Sequence, residues 1–202
     1  MKKFLLVLLL LAGSQLYAQK TNSAKSIESS GYGVLSTQFS KFNGQNAIFA
    51  GAYGGWMINH KLMIGIGGYG LATQHPGYGL NEHTLSKNDW KMGYVGLVGE
   101  YTFFGNRDLH FSVNALVGGG IIKNGNGRGT IPENGSDELE DIDASGFCVI
   151  QPGVNVEYSF TNLFQVGAGL GYRYITGSTQ PGISNAKMSA PTANLSFKFG
   201  VF

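Results

Sequence analysis

The sequence predicts an all-β protein, an eight-stranded antiparallel up-and-down transmembrane β-barrel, and three observations carry that expectation. From residue 31 onward, about eight segments of about a dozen residues alternate apolar with small or polar side chains. The connections between them switch between tight and long. No stretch of about 18 apolar residues occurs after the N-terminal signal. Yet 43% of the residues are hydrophobic and 32 are glycine, so the apolar content belongs to alternating strands rather than spanning helices.

The first element is an export signal. Lys2 and Lys3 precede an apolar run from Phe4 to Ala12, and Gly13, Ser14 and Gln15 lead to a cut after Ala18. The expected organisation is a signal peptide over residues 1–18, a flexible leader over 19–30 and a barrel over 31–202. Ser14 stands where a lipoprotein signal would carry its cysteine, which argues against a lipid anchor. Strand segments follow at Gly31–Phe42, Ala47–Ile58, Leu62–Thr73, Trp90–Phe103, Leu109–Lys123, Gly146–Phe160, Phe164–Ile175 and Ala190–Phe202. Each exceeds the roughly 9–11 residues that a tilted strand needs to cross a bilayer. The connections at Asn59–Lys61, Phe104–Asp108 and Thr161–Leu163 are tight, whereas Gln74–Asp89, Asn124–Ser145 and Thr176–Ser189 are long. Turns on one side of a membrane and loops on the other give this alternation, which only the short connection Asn43–Asn46 breaks.

Side chains on a strand alternate between two faces, so the pattern assigns an outside and an inside. Leu195, Phe197, Phe199 and Val201 share one face of the last segment, opposite Asn194, Ser196 and Lys198. In a membrane the apolar face meets lipid. The same reading turns Val95, Leu97, Tyr101, Phe103, Leu109, Phe111, Val113, Val154, Val156, Tyr158, Leu170, Tyr172 and Tyr174 outward. Tyr94, Thr102, Asn114, Asn155 and Gln165 then point inward. Pairing Ile58 with Leu62 sets Gly51 opposite Tyr69 and Gly67 opposite Tyr53, the large-against-small fit of a narrow barrel. Pairing Phe160 with Phe164 aligns the sixth and seventh segments. Trp56, Tyr101, Phe103, Tyr158, Phe160, Phe164 and Phe199 gather near the tight turns as an interfacial girdle. Pro152 removes a ladder donor, and a bulge there would reverse everything before it, so the facing of Cys148 and Gln151 stays open.

On alternation, segment length, export signal and a terminal aromatic, Phe202, the chain resembles the small outer-membrane barrels of the OmpA/OmpX type. The resemblance covers the whole segment after the signal. It implies location in a bacterial outer membrane, insertion by the barrel-assembly machinery, a lumen plugged by paired carboxylates and cations, and no cofactor. Val201, Phe199 and Phe197 lie out of phase with Phe202, a departure from the terminal pattern of those barrels.

The candidate site is an inner polar network. Glu100, Ser112, Glu157 and Lys198 lie at similar height, His110 slightly nearer the turns and Arg173 near the opposite end. Buried charges need partners, so these residues are expected to neutralise one another. His110-Phe111-Ser112 also fits the His-x-Ser pattern of outer-membrane lipid hydrolases, where imidazole activates a hydroxyl. Those enzymes hold the pair on the lipid-facing side, whereas this pair reads as inward. The loop 124–145 concentrates acid at Glu133, Asp137, Glu138, Glu140, Asp141 and Asp143, half of the 12 acidic residues. Asp137, Glu138, Glu140, Asp141 and Asp143 are the loop residues expected to meet an external partner. Their spacing fits no calcium loop, and His75, Glu82 and His83 are the other metal candidates, with no metal expected. Gly65-x-Gly67-x-x-Gly70 matches a dinucleotide string but lies inside a strand, without the helix that motif requires.

Without Lys2 and Lys3 the chain holds 12 basic and 12 acidic residues, so no nucleic-acid footprint remains. Cys148 is the sole cysteine and excludes an internal disulfide. The expectation is a monomeric, non-enzymatic barrel whose partners are outer-membrane lipids and an extracellular ligand of the long loops. Two alternatives remain: a narrow conduit for small apolar molecules past Tyr53, Met57, Met63 and Tyr69, or the lipid hydrolase. A soluble ligand-binding barrel would require the opposite facing, with apolar residues inside.

Overall fold

The computed structural model describes residues 29–75, 89–104, 107–124 and 144–201. Its strands are β1 (Ser29–Phe42), β2 (Gln45–Ile58), β3 (Leu62–Leu71), β4 (Trp90–Phe103), β5 (Leu109–Asn124), β6 (Ala144–Thr161), β7 (Phe164–Thr176) and β8 (Ala190–Gly200). A four-residue helix, α1 (Asn185–Met188), precedes β8. Consecutive strands pair antiparallel, and β8 returns to β1 from Tyr32↔Gly200 to Ser40↔Thr192, closing the sheet. Closure matters because a free edge would leave peptide groups unbonded wherever water is absent.

The expected registers hold. Ile58 pairs with Leu62, Gly51 with Tyr69 and Tyr53 with Gly67. A Cβ at Gly51 would stand 2.2 Å from Tyr69 Cδ1 and one at Gly67 2.3 Å from Tyr53 Cβ, so both inward tyrosines lie directly over bare backbone. Two connections differ from the sequence reading. Between β1 and β2 the chain reverses on Asn43 and Gly44 alone, with φ of 50° and 80°, and Phe42 pairs with Gln45. An Asn-Gly pair accepts those positive angles, so β2 starts two residues earlier than Ala47. Between β6 and β7, Thr161 rather than Phe160 pairs with Phe164, and Phe160 is the extra residue of a bulge. Its ring still lies 5.9 Å from that of Phe164. β1 also begins at Ser29, inside the expected leader, because Ser29 and Ser30 find partners in Ile58 and Met57.

Pro152 causes no bulge. It keeps Ala115 opposite it on β5, while Gln151 and Pro152 lack bridge partners on β7, where the ladder resumes in the same register at Ile150↔Tyr174. The missing donor therefore costs one interruption and leaves the facing intact. Phe147, Val149 and Gln151 are buried and Cys148 is exposed.

The wall separates two environments. Leu195, Phe197 and Phe199 are 40%, 41% and 50% exposed, whereas Glu157 and Lys198 are each 1% exposed. Outward apolar residues continue around the barrel through Leu35, Ile64, Leu97, Phe111, Val154 and Leu170. Near the turns the aromatic girdle is continuous in places: Tyr101 and Phe103 meet edge to face at 4.8 Å, as do Tyr158 and Phe160 at 5.0 Å. Trp90, at the start of β4, turns inward and is 2% exposed. The expectations for residues 1–28, for Glu82 and His83, for Glu133 to Asp143 and for Phe202 lie outside the described residues.

Candidate functional site in the barrel interior

Five of the six expected network residues meet. Lys198, on β8, stands between two carboxylates: it is hydrogen-bonded to Glu100 Oε1, and its Nζ lies 2.7 Å from Glu157 Oε1. All four carboxylate oxygens are engaged. Tyr32 donates to Glu100 Oε1 at 2.6 Å and Tyr53 to Glu100 Oε2 at 3.1 Å. Ser112 donates to Glu157 Oε1 at 2.6 Å, and His110 Nε2 meets Glu157 Oε2 at 3.1 Å. Asn155 donates in turn to Ser112 Oγ at 3.1 Å. Six strands supply these groups, which makes the cluster a cross-brace through the interior.

His110 fixes the charge balance. Its Nδ1 faces the Arg107 carbonyl at 3.3 Å and its Nε2 faces the Glu157 carboxylate, so both ring nitrogens meet acceptors. With Glu157 ionised, only imidazolium donates from both nitrogens. Two carboxylates then face two cations. This arrangement also bears on nucleophilic chemistry. Ser112 and His110 both bond Glu157 and not each other, whereas activation of a hydroxyl needs a direct bond from Oγ to the imidazole.

Arg173 stands apart from that cluster, toward the loops. Its Nε donates to the Met188 carbonyl at 3.0 Å, its Nη2 to the Lys41 carbonyl at 2.9 Å, and its guanidinium lies 4.0 Å from the Phe49 ring centroid. The segment 177–189 folds back over this end of the lumen. Asn43 N–H donates to the Lys187 carbonyl at 2.9 Å, Ile175 N–H to Ser189 Oγ at 2.9 Å, and Met188 is fully buried. Ser184 caps α1 by accepting from Lys187 N–H. Between the two ends lie Tyr94, which donates to Gln151 at 2.7 Å, and a small polar cavity bordered by Asn114, Thr192 and Asn194.

His75 closes the edge of the loop-side mouth. Its Nε2 meets Thr73 Oγ1 at 2.9 Å, its Nδ1 meets Gln45 Oε1 at 3.1 Å, and its ring lies 5.4 Å from Phe42. Burial holds its pKa below the usual histidine value, opposed by the charge of Asp89. Sequence reasoning placed the charged cluster but missed Tyr32 as a carboxylate partner, although alternation with Val34 already turns it inward. It missed the buried Met188 and Ile183 entirely, because no periodicity marks a segment that returns after leaving the sheet.

No protein-family model matches the chain, and no curated protein matches it. Solved structures do. Neisserial surface protein A superposes with a TM-score of 0.56 at 15% identity, covering 88% of this chain and 99% of that one. Ail, the attachment invasion locus protein of Yersinia pestis, solved in complex with the heparin analogue sucrose octasulfate, gives 0.51 at 12% identity, covering 87% and 99%. At such identities the likeness is one of architecture, and together with the closed sheet and apolar wall it makes this chain a barrel of the eight-stranded outer-membrane fold.

Proposed function

We propose that this chain is an integral protein of a bacterial outer membrane with a structural or surface-interaction role, its lumen filled by its own side chains and its long loops turned outward. The observation that carries the reading is the inversion of the wall: apolar side chains cover the outside while Glu100, Glu157 and Lys198 are buried within. Water would favour the reverse distribution, and acyl chains favour this one. The acidic loop, with Asp137, Glu138, Glu140, Asp141 and Asp143, is the surface for an external partner, and its charge suits cationic groups better than a sulfated sugar of the kind bound to Ail. The remaining partners are membrane lipids and, during insertion, the assembly machinery.

The filled-lumen reading draws support from the cross-brace on the turn side and from Arg173, Met188 and Trp90 on the loop side, all buried. Met57, Met63 and Tyr53, which would line an apolar conduit, are buried as well. A non-enzymatic role draws support from the missing bond between Ser112 and His110. Cell fractionation with accessibility tags tests the whole reading. Tags within 125–143 are reachable on intact cells and tags at 59–61 are not; recovery of the chain in detergent-free aqueous extract, or the reverse accessibility, overturns it. Planar-bilayer recordings test the lumen separately, with electrical silence expected and discrete conductance steps favouring the conduit.

A further inference from the structure

The outward face of the sheet carries a concavity on its loop side. On β3, β4 and β5 the outward positions toward the loop side include Gly68, Gly70, Gly93 and Gly119, with Val95 and Ile121 as walls. They enclose an open, almost wholly apolar groove of about 650 Å³. Ligand pockets span about 300–1,000 Å³. Packing within the barrel does not demand all of these glycines: a Cβ at Gly70 would meet nothing within 4 Å, and one at Gly93 would meet only the Tyr69 carbonyl at 3.7 Å.

The rim of the groove carries charge. Lys91 lies two residues beyond Gly93 on β4, Lys123 two beyond Ile121 on β5, and the two lysines are direct cross-strand partners. A step of two residues along a strand is about 7 Å. Like charges set opposite each other repel, and Asp89, Lys91 and Lys123 form no ion pair among the described residues. An anion between the two ammonium groups would turn that repulsion into charge-assisted hydrogen bonds. One molecule satisfies both features at once.

We propose that this face binds an acyl lipid with a phosphate headgroup, the phosphate held between Lys91 and Lys123 and an acyl chain lying along Gly93, Gly119 and Gly70. The inference rests on the membrane orientation proposed above, which places this rim in the outer leaflet. The groove supplies a recess in which a chain contacts backbone rather than sliding over side-chain tips. The paired lysines supply the selection for headgroup charge.

The test is native mass spectrometry of the intact, detergent-solubilised protein with diphosphoryl lipid A, the same lipid stripped of its phosphates, or inorganic phosphate. Wild type is expected to retain one diphosphoryl lipid, and Lys91→Glu combined with Lys123→Glu to weaken retention about tenfold or more. Gly93→Leu, which fills the groove and spares the lysines, should weaken it as well. Gly99→Leu, an outward position with open space outside the groove, should not. Equal retention by wild type and the charge-reversed variant, or of the two lipids, overturns the proposal, and so does inorganic phosphate binding as tightly as the lipid. If the protein remains membrane-embedded by fractionation yet shows no such discrimination, the lipid site fails and the membrane reading stands; recovery in aqueous extract removes both.

Discussion

The two ends of this barrel are closed by different means. On the turn side, Glu100, Glu157, Lys198, His110 and Ser112 come from strands, and the space is filled by charges that neutralise one another. On the loop side, Arg173 is held by the carbonyls of Lys41 and Met188, and the space is filled by a segment that leaves the sheet and returns. The first closure is built into the strand register and moves only if the sheet does. The second is tied on by a few hydrogen bonds and has its own local stability. Charge pairing therefore makes one end part of the wall, and chain reversal makes the other a separable cover.

Removing the shared cation is the strongest way to break that contrast. Lys198→Met leaves two buried carboxylates without it, and breaking a buried pair costs about 3–5 kcal/mol. The urea midpoint of the barrel in lipid vesicles should fall accordingly, and adding Glu100→Gln should restore part of it. An unchanged midpoint would mean the turn side is not held by charge.

Arg173→Met tests the cover. Hydrogen bonds to charged groups are worth about 1.5–3 kcal/mol each, but here the loss should stay local. Amide exchange at Asn43 and Ser189, whose N–H groups bond the Lys187 and Asn185 carbonyls, should quicken while the urea midpoint moves little. A global loss equal to that of Lys198→Met would erase the distinction between the two ends.

Between the ends, tight packing sharpens the picture. Gly51→Ala drives a methyl into the Tyr69 ring, an overpacking worth about 1–3 kcal/mol. In a Tyr69→Ala background the same Gly51→Ala change should lower the urea midpoint by less, though not by nothing, because the methyl also meets the Gly68 carbonyl; a Gly51→Ala variant that is neutral in the wild-type background would contradict the close fit.

The smallest effect concerns His75 at the loop-side edge. Its folded pKa lies below the unfolded value, so above the ordinary histidine range both states are neutral and pH does nothing. As pH falls through about 6.5 the unfolded state takes up the proton first, and stability declines. The protection factor of the Trp90 N–H, which bonds the His75 carbonyl at 2.9 Å, should therefore be lower at pH 5.5 than at 7.5 once the intrinsic pH dependence of amide exchange is divided out. His75→Gln should remove that dependence while Gly31, on the turn side, shows none in either protein.

Alternation along the chain was enough to decide which residues face out and which face in, because a strand has a period of two and the membrane rewards one face. From the tight connections it also gave most of the registers, and with them the height at which Glu100, Glu157 and Lys198 stand. Three matters needed the closed sheet. Pro152 keeps its facing because its lost donor falls on the β7 side, where the neighbouring bridges at Gly153 and Ile150 hold the register. Lys198 reaches both carboxylates because closure of β8 on β1 carries it across the lumen, a distance no local pattern encodes. Met188 and its segment return into the barrel because the mouth is wide enough to need them and Arg173 is there to bind them, conditions that exist only once all the strands are in place.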